Sequence, residues 1–209
     1  MTRGRPRDPE KQEQTRQALR DAAKQLLMQK SYRSITIREL AEMAGTQSGM
    51  VSYYFGNKEG LFINLLEELG AQRQQFMGDL IQRIQANPQQ AIDLLVDSMV
   101  GLVTSVPWLV RLLQDEIYSR DSKLRDSVPT KFGAGLIELF TKLRQLGVIR
   151  ADLEPKFVTA SLFSVIMFPV IAEPLLSPVA GTNIQVLRSP EWKQHLVNLL
   201  KVGLNAHQD

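Results

Sequence analysis

The sequence predicts an all-α protein, and three features of the chain support that prediction. Apolar residues recur every three or four positions in almost every segment, which is the spacing of one face of a helix. Residues that favour helix starts and helix ends separate these segments. No run of any length alternates apolar and polar residues, as a half-buried β-strand requires.

The composition narrows the class of protein. Hydrophobic residues make up 44% of the 209 residues, which is enough for a core, and the absence of Cys excludes disulfides, thiolate metal sites and cysteine nucleophiles. The N-terminal residues contain no apolar run typical of a secretory signal. The uncharged stretch 157–172 holds 16 residues, fewer than the roughly 20 that a membrane-spanning helix needs. We therefore expect a cytoplasmic protein without a membrane partner.

The charge is distributed unevenly along the chain. Residues 1–58 carry 11 Lys or Arg against 6 Asp or Glu, a net of +5, whereas residues 59–209 carry 14 against 16, a net of −2. A basic N-terminal quarter on a near-neutral body indicates that this quarter meets a polyanion. Charge alone would favour a solvated basic face, so the choice between these two interpretations depends on the sequence motifs.

Two short segments around a glycine form the most informative motif. Thr36-Ile37-Arg38-Glu39 is a capping box and predicts a helix over 36–44. Gly45 follows, where a helix end favours glycine, and a second short helix is expected over 48–54. This is helix-turn-helix spacing, in which the second helix enters the major groove of DNA and its first residues reach base edges.

The aromatic residues of SGMVSYYFGNKEG fit this motif. On a helix that starts near Gln47, Val51 and Phe55 share one face and can pack onto the preceding helices. Tyr53 and Tyr54 then project elsewhere, where a hydroxyl can donate to a DNA phosphate. Lys58 begins the next helix, which Asn57 caps, and its ammonium can contact the same phosphates. Both tyrosines could instead be ordinary core-edge residues, but the glycine turn and the basic front end favour phosphate contact.

The rest of the chain is also predicted to be helical. Further helices are expected to start at Asn87-Pro88, Pro107 and Ser189-Pro190. A helix over 122–146 is expected to break or bend near its Pro and Gly residues, and a very apolar helix over 154–176 is expected to kink at Pro169. The Pro-, Gly-, Ser- and Thr-rich stretch 176–188 is predicted to be a loop.

The stretch TIRELAEMAGTQSGMVSYYFGNKEGLF closely resembles the DNA-binding domain of the TetR family of bacterial transcription regulators. The resemblance covers roughly residues 12–66, and the remainder is similar only in length and helical character. It implies an N-terminal three-helix helix-turn-helix domain and a C-terminal helical domain for ligand binding and dimerisation. We expect a basic flexible arm over residues 1–10, the DNA-binding domain over 11–57 and the helical domain over 58–209.

The resemblance also implies a set of DNA contacts. Thr36 and Arg38 occupy positions that contact phosphates or a base. The leading edge of the recognition helix corresponds to Gln47, Ser48, Gly49 and Met50. The positions that clamp the DNA backbone correspond to Tyr53, Tyr54 and Lys58. The sequence departs from the family pattern at two places. In the turn, Thr46-Gln47 replaces the usual Val-Ser. In the recognition helix, Ser52 replaces the most typical tyrosine, and Ser52 reaches a phosphate only if the helix lies close to the DNA.

The N-terminal arm adds a second possible DNA contact. Arg3-Gly4-Arg5-Pro6-Arg7 resembles the core of an AT-hook, whose arginines enter a narrow A·T-rich minor groove. This reading assigns DNA contacts to Arg3 and Arg5. A basic arm that binds DNA without sequence preference stays open as the alternative.

In family members, the middle helices enclose a pocket for a small molecule, and binding changes the spacing of the two DNA-binding heads. The apolar lining of such a pocket is expected from Trp108, Leu112, Phe132, Leu136, Phe163, Ile166 and Met167. The polar anchors are expected from Arg111, Asp115, Glu116 and Tyr118. The bulk of the apolar residues favours a hydrophobic effector, whose identity the sequence does not give.

A single recognition helix gives little specificity, so a homodimer on an inverted-repeat operator is expected, with half-sites about 34–36 Å apart. The apolar stretches 157–172 and 192–204 are the expected dimer surface, although both could be internal core.

The expected function is sequence-specific regulation of transcription, with repression the commoner outcome in the family and activation left open. An enzyme is disfavoured because only His195 and His207 are present, no serine, histidine and acid cluster is visible, and the adjacent Asp115 and Glu116 point to different helix faces. No cofactor or metal is expected. A ligand-independent architectural or division-linked DNA binder on the same fold is the remaining alternative.

Overall fold

The computed structural model describes residues 9–116, 119, 122–128 and 134–204. Within these residues the chain forms α-helices and two 3-10 turns but no β-strand, so the predicted all-α class is confirmed. The helices are α1 (Pro9–Gln29), α2 (Ile37–Met43), α3 (Gly49–Phe55), α4 (Lys58–Ala86), α5 (Ala91–Ser105), α6 (Pro107–Glu116), α7 (Lys123–Val128), α8 (Ala134–Gln145), α9 (Pro155–Ile171), α10 (Glu173–Ala180), α11 (Ile184–Arg188) and α12 (Pro190–Leu204). The 3-10 turns are Tyr32–Ser34 and Pro88–Gln90.

The head is formed by α1, α2, α3 and the first turns of α4, around one buried cluster. The apolar side of α1 faces this cluster, and Leu40 and Val51 bring α2 and α3 onto it. A buried arginine also fastens α1 to α4: Arg20 Nε donates to Asn64 Oδ1 at 3.0 Å, and its Nη1 donates to Glu13 Oε1 at 2.9 Å. Because these bonds satisfy a largely buried guanidinium, the charge is compensated where the two helices meet.

The turn between α2 and α3 is set by Gly45. Gly45 has a φ of 62°, and two backbone bonds close the turn, from Thr46 N to Ala41 O at 2.9 Å and from Gly45 N to Glu42 O at 3.2 Å. This pair of bonds is a Schellman motif, which satisfies the last carbonyls of α2. At the other end of α2, the predicted capping box between Thr36 and Glu39 is complete. The sequence therefore specified both ends of this short helix correctly.

The body contains a second buried cluster, built from the distal part of α4 and from α5, α8, α9, α11 and α12. Helix α4 runs through both parts, since Leu61 to Leu69 face the head cluster and Met77, Leu80 and Ile84 face the body cluster. Asn57 caps α4 as predicted, accepting from Gly60 N at 2.7 Å. The expected domain boundary near residue 58 stays a prediction, with the head and the body sharing this helix.

Two predicted features of the body differ from the structure, the helix over 154–176 and the loop over 176–188, whereas the predicted break within 122–146 falls outside the described residues. The predicted helix over 122–146 is represented by α7 and α8, and the segment between them lies outside the described residues. Helix α9 continues through Pro169, and the sharp bend of 81° falls between α9 and α10, at Ala172. Pro174 explains that position, because it has no N–H for the carbonyl four residues earlier and its ring would collide with it.

The stretch 176–188, predicted to be a loop, is largely helical. Helix α10 ends at Ala180, followed by Gly181 with a φ of 64°, and α11 begins after Asn183. The Asn183 side chain accepts from Gln185 N and Val186 N, which starts α11, and Leu187 is buried in the body. Tertiary burial of one leucine and a local cap outweigh the turn-forming composition.

No single helix in the described part of the chain is long and apolar enough to cross a membrane; two sharply bent helix pairs qualify by length and composition only.

Replacing Gly45 by alanine should destabilise the protein by about 1 kcal/mol, because a Cβ is unfavourable at positive φ. The same change at Gly78, an open helical position in α4, should stabilise it by about 0.5–1 kcal/mol. Urea unfolding at one fixed protein concentration measures both. The stability of Gly45→Asn should lie between those of the two alanine variants, because asparagine tolerates the left-handed region. A Gly45→Ala variant as stable as the wild type would contradict the role of this turn.

The carboxylate of Glu39 should titrate far below its ordinary pKa. Hydrogen bonds from Lys30 and then Thr36 lower the Glu39 pKa from 4.5 to about 2. Because the folded-state pKa is the lower one, this stabilisation is present above about pH 4.5 and is lost as the pH falls through about 2. NMR titration of the side chain measures the pKa directly. Lys30→Met should raise it, and a wild-type value near 4.5 would contradict the contacts.

Candidate nucleic-acid interface and ligand cavities

Helix α3 presents a polar outer face from the head. Val51 is fully buried and anchors the inner face, while Gln47, Ser48, Gly49 and Ser52 are exposed and Met50 is half-buried. The outer face carries small or flexible side chains, so the helix backbone can approach a flat partner closely. The residues that the sequence placed at the leading edge of a recognition helix therefore share one accessible surface.

The three consecutive aromatic residues have different environments. Tyr53 is 52% exposed, whereas Tyr54 and Phe55 are half-buried and pack against the head cluster. The ring of Tyr54 meets that of Tyr53 edge-on at 4.9 Å, and the Arg16 guanidinium lies 5.9 Å from the centre of the Phe55 ring. Tyr53 is thus the tyrosine best placed to contact a ligand, and Tyr54 is a core-edge residue that supports it.

Thr36 and Arg38 lie at the start of α2, and both already have partners. The Thr36 hydroxyl donates to Glu39 Oε2 at 2.8 Å as part of the capping box. Arg38 is 83% exposed, and its Nε lies 2.7 Å from Glu42 Oε1, a hydrogen bond that raises the Arg38 pKa. An exposed pair of this kind is weak, so Arg38 can exchange Glu42 for a phosphate at little cost.

Lys58 does not point into solvent as the sequence suggested. Its Nζ donates to Tyr32 O at 3.0 Å and to Ile35 O at 2.9 Å, and it lies 4.4 Å from the centre of the Tyr32 ring. Burial lowers the Lys58 pKa, with Lys30 acting in the same direction and Glu116 opposing. The ammonium thus holds the segment that links α1 to α2, and a phosphate contact would have to replace these bonds.

Arg3 and Arg5, the expected minor-groove contacts, lie outside the described residues. The same is true of Phe132 and Tyr118.

Several residues expected to line a ligand pocket instead join the head to the body. Trp108 and Leu112 of α6 are buried in the head cluster. Asp115 Oδ2 accepts from Tyr32 N at 2.6 Å, and Glu116 Oε1 lies 3.5 Å from Arg33 Nε. The physical reason is that α6 packs against α1, so its end faces the α1–α2 link and not the interior of the body.

The remaining predicted pocket residues fall into three groups. Arg111 is exposed on α6, and Leu136 and Ile166 are buried in the body core. Phe163 and Met167 do line a cavity, together with residues of α4, α5 and α6. The assignment of a ligand to this cavity stays a prediction.

Three cavities along the body share lining residues. We call the first the polar groove, of about 460 Å³ between α4 and α5; it is lined by Gln72, Arg73, Phe76, Arg83, Asp97, Ser98 and Ser105, among others. It shares Leu69, Arg73, Leu102 and Val106 with the second, which we call the neck, an apolar space of about 40 Å³. The neck shares Phe163 and Met167 with the third, an apolar cleft of about 650 Å³ beside α9 and α10.

Arg73 is the functional candidate that sequence reasoning missed. It lines both the polar groove and the neck, and burial lowers its pKa to about 10. In the sequence it stands within Gln72-Arg73-Gln74-Gln75, which is typical of a solvated helix face. Its spacing from Leu69 and Phe76 in the sequence could have indicated its position, because residues three or four apart share a side of a helix.

Tyr32 was also missed, although its backbone and ring join the α1–α2 link to α6 and to the start of α4. Its amide donates to Asp115, its carbonyl accepts from Lys58, and its ring meets Phe62 edge-on at 4.9 Å. Burial, with Glu59 and Glu116 acting in the same direction, raises the Tyr32 pKa to about 12. The sequence SYRS carries no motif, so only the fold reveals this role.

Comparison with known proteins places the head in a family. Residues 19–65 match the family described as bacterial regulatory proteins, tetR family. An uncharacterized HTH-type transcriptional regulator of Haemophilus influenzae is 32% identical over 105 residues, which cover 50% of this chain and 51% of that protein. The HTH-type transcriptional repressor NicS of Pseudomonas putida is 30% identical over 104 residues, which cover 50% and 49%. The chain thus spans about half the length of these curated relatives.

The fold is shared over a longer range. The transcriptional regulator FadR from Bacillus subtilis, solved in complex with stearoyl-CoA, superposes with a TM-score of 0.63 over 88% of this chain and 96% of that one, at 20% identity. The family match, the two named relatives and the helix-turn-helix geometry of α2 and α3 agree. Residues 19–65 of this chain are therefore similar to the bacterial regulatory proteins of the tetR family.

Proposed function

We propose that this protein is a transcriptional regulator, and not an enzyme, that binds an inverted-repeat operator as a homodimer and is released from it by a small hydrophobic effector. The observation that carries the proposal is the outer face of α3, where Gln47, Ser48, Gly49 and Ser52 lie exposed beside Tyr53 on a firmly packed head. A helix of this kind fits the major groove, with its first residues at base edges. Repression is the favoured outcome because the relative NicS is named a repressor.

The dimer is supported by exposed apolar side chains on α9 and α12. Phe157 is 66% exposed, Val202 is 67% exposed and Leu199 is 52% exposed, on the two helices that the sequence predicted for this surface. Large apolar side chains that remain exposed favour burial against another protein surface. A second copy is the natural partner, because a two-fold symmetric protein matches an inverted repeat.

Effector release is supported by the position of α6. Leu109 and Leu113 of α6 line the neck, and both also pack against the head cluster. The far end of the same helix holds Tyr32 through Asp115 and Arg33 through Glu116. A ligand that widens the neck therefore displaces the helix that positions the head. An effector that binds the displaced arrangement better shifts the population away from the operator-binding spacing.

Selection from a random duplex pool at fixed near-physiological salt tests operator recognition. We expect one enriched inverted repeat and loss of discrimination at one base position in Gln47→Ala, because a lost base contact costs about 1–3 kcal/mol. Gln75→Ala, at an exposed position of α4 in the body, is the matched control and should bind as the wild type does. Salt-sensitive binding without any enriched motif would contradict the proposal and favour the ligand-independent architectural alternative.

The salt dependence of operator binding tests which cations contact phosphates. Arg38→Gln should reduce the slope of log affinity against log salt by about 0.9 per copy, whereas Arg150→Gln should not change it. Arg150 is a suitable control because it is an exposed arginine paired with Asp152 in the body.

The same measurement separates the two possible roles of Lys58. Lys58→Met should leave the slope unchanged and lower the stability of the protein, because the ammonium bonds to two backbone carbonyls. A reduced slope in Lys58→Met would show instead that the lysine turns to a phosphate when DNA binds.

A further inference from the structure

We propose that Gln47 reads an adenine in each operator half-site through its side-chain amide. This inference rests on the proposed operator binding, and it adds which base is recognised and which residue recognises it. It depends on the absence of charge around α3 and on the exposed position of Gln47.

The turn and the helix that face the DNA in this proposal carry no charge. Residues 43–57, which include the turn at Gly45 and all of α3, contain no Lys, Arg, Asp or Glu. Arginine and lysine read guanine because they donate to its major-groove acceptors N7 and O6, and a carboxylate reads cytosine by accepting from N4. Neither kind of contact is available from this segment. Its base recognition therefore depends on amide, hydroxyl and apolar groups.

The cations that flank this segment in the described sequence have other partners. Lys58 donates to the carbonyls of Tyr32 and Ile35 at the start of α2. Arg38 lies in the first turn of α2, where its Nε is 2.7 Å from Glu42 Oε1, and we assign it to a phosphate. Reading of the bases beneath α3 therefore falls to uncharged side chains.

Gln47 is the uncharged side chain with the clearest base preference. It is exposed, its amide has no partner within the described residues, and its carbonyl accepts from Met50 N at 2.9 Å at the entry to α3. An amide presents a donor beside an acceptor, and adenine presents the matching N7 acceptor and N6 donor in the major groove. Guanine presents two acceptors there, so only the donor half of the amide can pair with it. The hydroxyls of Ser48 and Ser52 pair with either kind of group and discriminate less.

The neighbouring residues let this amide reach a base edge. Ser48, Gly49 and Ser52 are exposed and small, so the backbone of α3 can approach the DNA closely. A Cβ added to Gly49 would meet no atom of the surrounding protein within 4 Å, so packing inside the head does not require glycine at this position. Glycine in a helix costs stability relative to alanine, which favours a role in the approach of an outside partner. Close approach suits glutamine, whose amide stands on a short side chain.

Competition binding with paired operators tests the base identity. The selected repeat should hold an adenine at the position that Gln47→Ala leaves undetermined, and a G·C pair there should weaken wild-type binding about 5- to 150-fold. Gln47→Arg should reverse this preference, because its guanidinium donates to guanine N7 and O6. Gln75→Arg, which adds the same charge at an exposed position of α4, should keep the preference for A·T. The ratio of the two affinities is the readout, because partial unfolding of a variant affects both duplexes equally.

An operator with 7-deazaadenine at that position separates base reading from DNA shape. The modified base lacks the N7 acceptor in the major groove but keeps its pairing with thymine and its minor-groove edge. We expect about 5-fold or more weaker binding by the wild type and no further weakening of Gln47→Ala. Unchanged wild-type binding, or equal weakening of both proteins, would overturn the contact.

The failure of this inference is distinguishable from the failure of the proposed function. One enriched repeat with the same base preferences in the wild type, Gln47→Ala and Gln47→Arg would overturn the role of Gln47 and leave operator binding standing. A guanine at the position that depends on Gln47 would overturn the assigned base in the same way. The absence of any enriched repeat would reject operator recognition itself.

Discussion

The carboxylates of Asp115 and Glu116, at the end of α6, hold two residues of the segment that links α1 to α2, Tyr32 and Arg33. Asp115 accepts from the amide of Tyr32, and Glu116 pairs with Arg33 while accepting from the buried hydroxyl of Ser122. Glu116 is itself buried, so its charge has to be compensated there, and Arg33 and Ser122 supply that compensation. The position of the head relative to the body depends on this joint, and so does any signal between them.

Lys58 completes the joint from the other side. Its ammonium bonds to the carbonyls of Tyr32 and Ile35 and lies against the Tyr32 ring. The link between α1 and α2 is therefore held both by Asp115, through the Tyr32 amide, and by the Lys58 cation. Apolar packing continues through it, because Trp108, Leu109 and Leu112 enter the head cluster. A helix that is part of the head core and also forms a wall of the neck can transmit ligand binding without a long chain of intermediates.

The distribution of polar and apolar surface gives the two parts different tasks. In the head, buried Val51 and Leu40 fix α3 and leave small polar residues outside, which suits close approach to a regular surface. In the body, Arg73 lines both the groove between α4 and α5 and the apolar neck. Phe157, Leu199 and Val202 remain exposed on α9 and α12, the helices proposed to bind a second copy.

Local chemistry allowed the sequence alone to determine the helical class, the capping box of Thr36 and Glu39, the turn at Gly45, the cap at Asn57 and the set of residues on the outer face of α3. Each of these depends on residues within a few positions of one another, where propensity and hydrogen bonding act directly. Only the tertiary structure decided that Asp115, Glu116, Trp108 and Leu112 serve the joint, that Lys58 turns inward, and that Arg73 lies between a groove and a neck. Those outcomes depend on which helices pack together across 26 to 83 positions of sequence, and neither spacing nor composition encodes that packing.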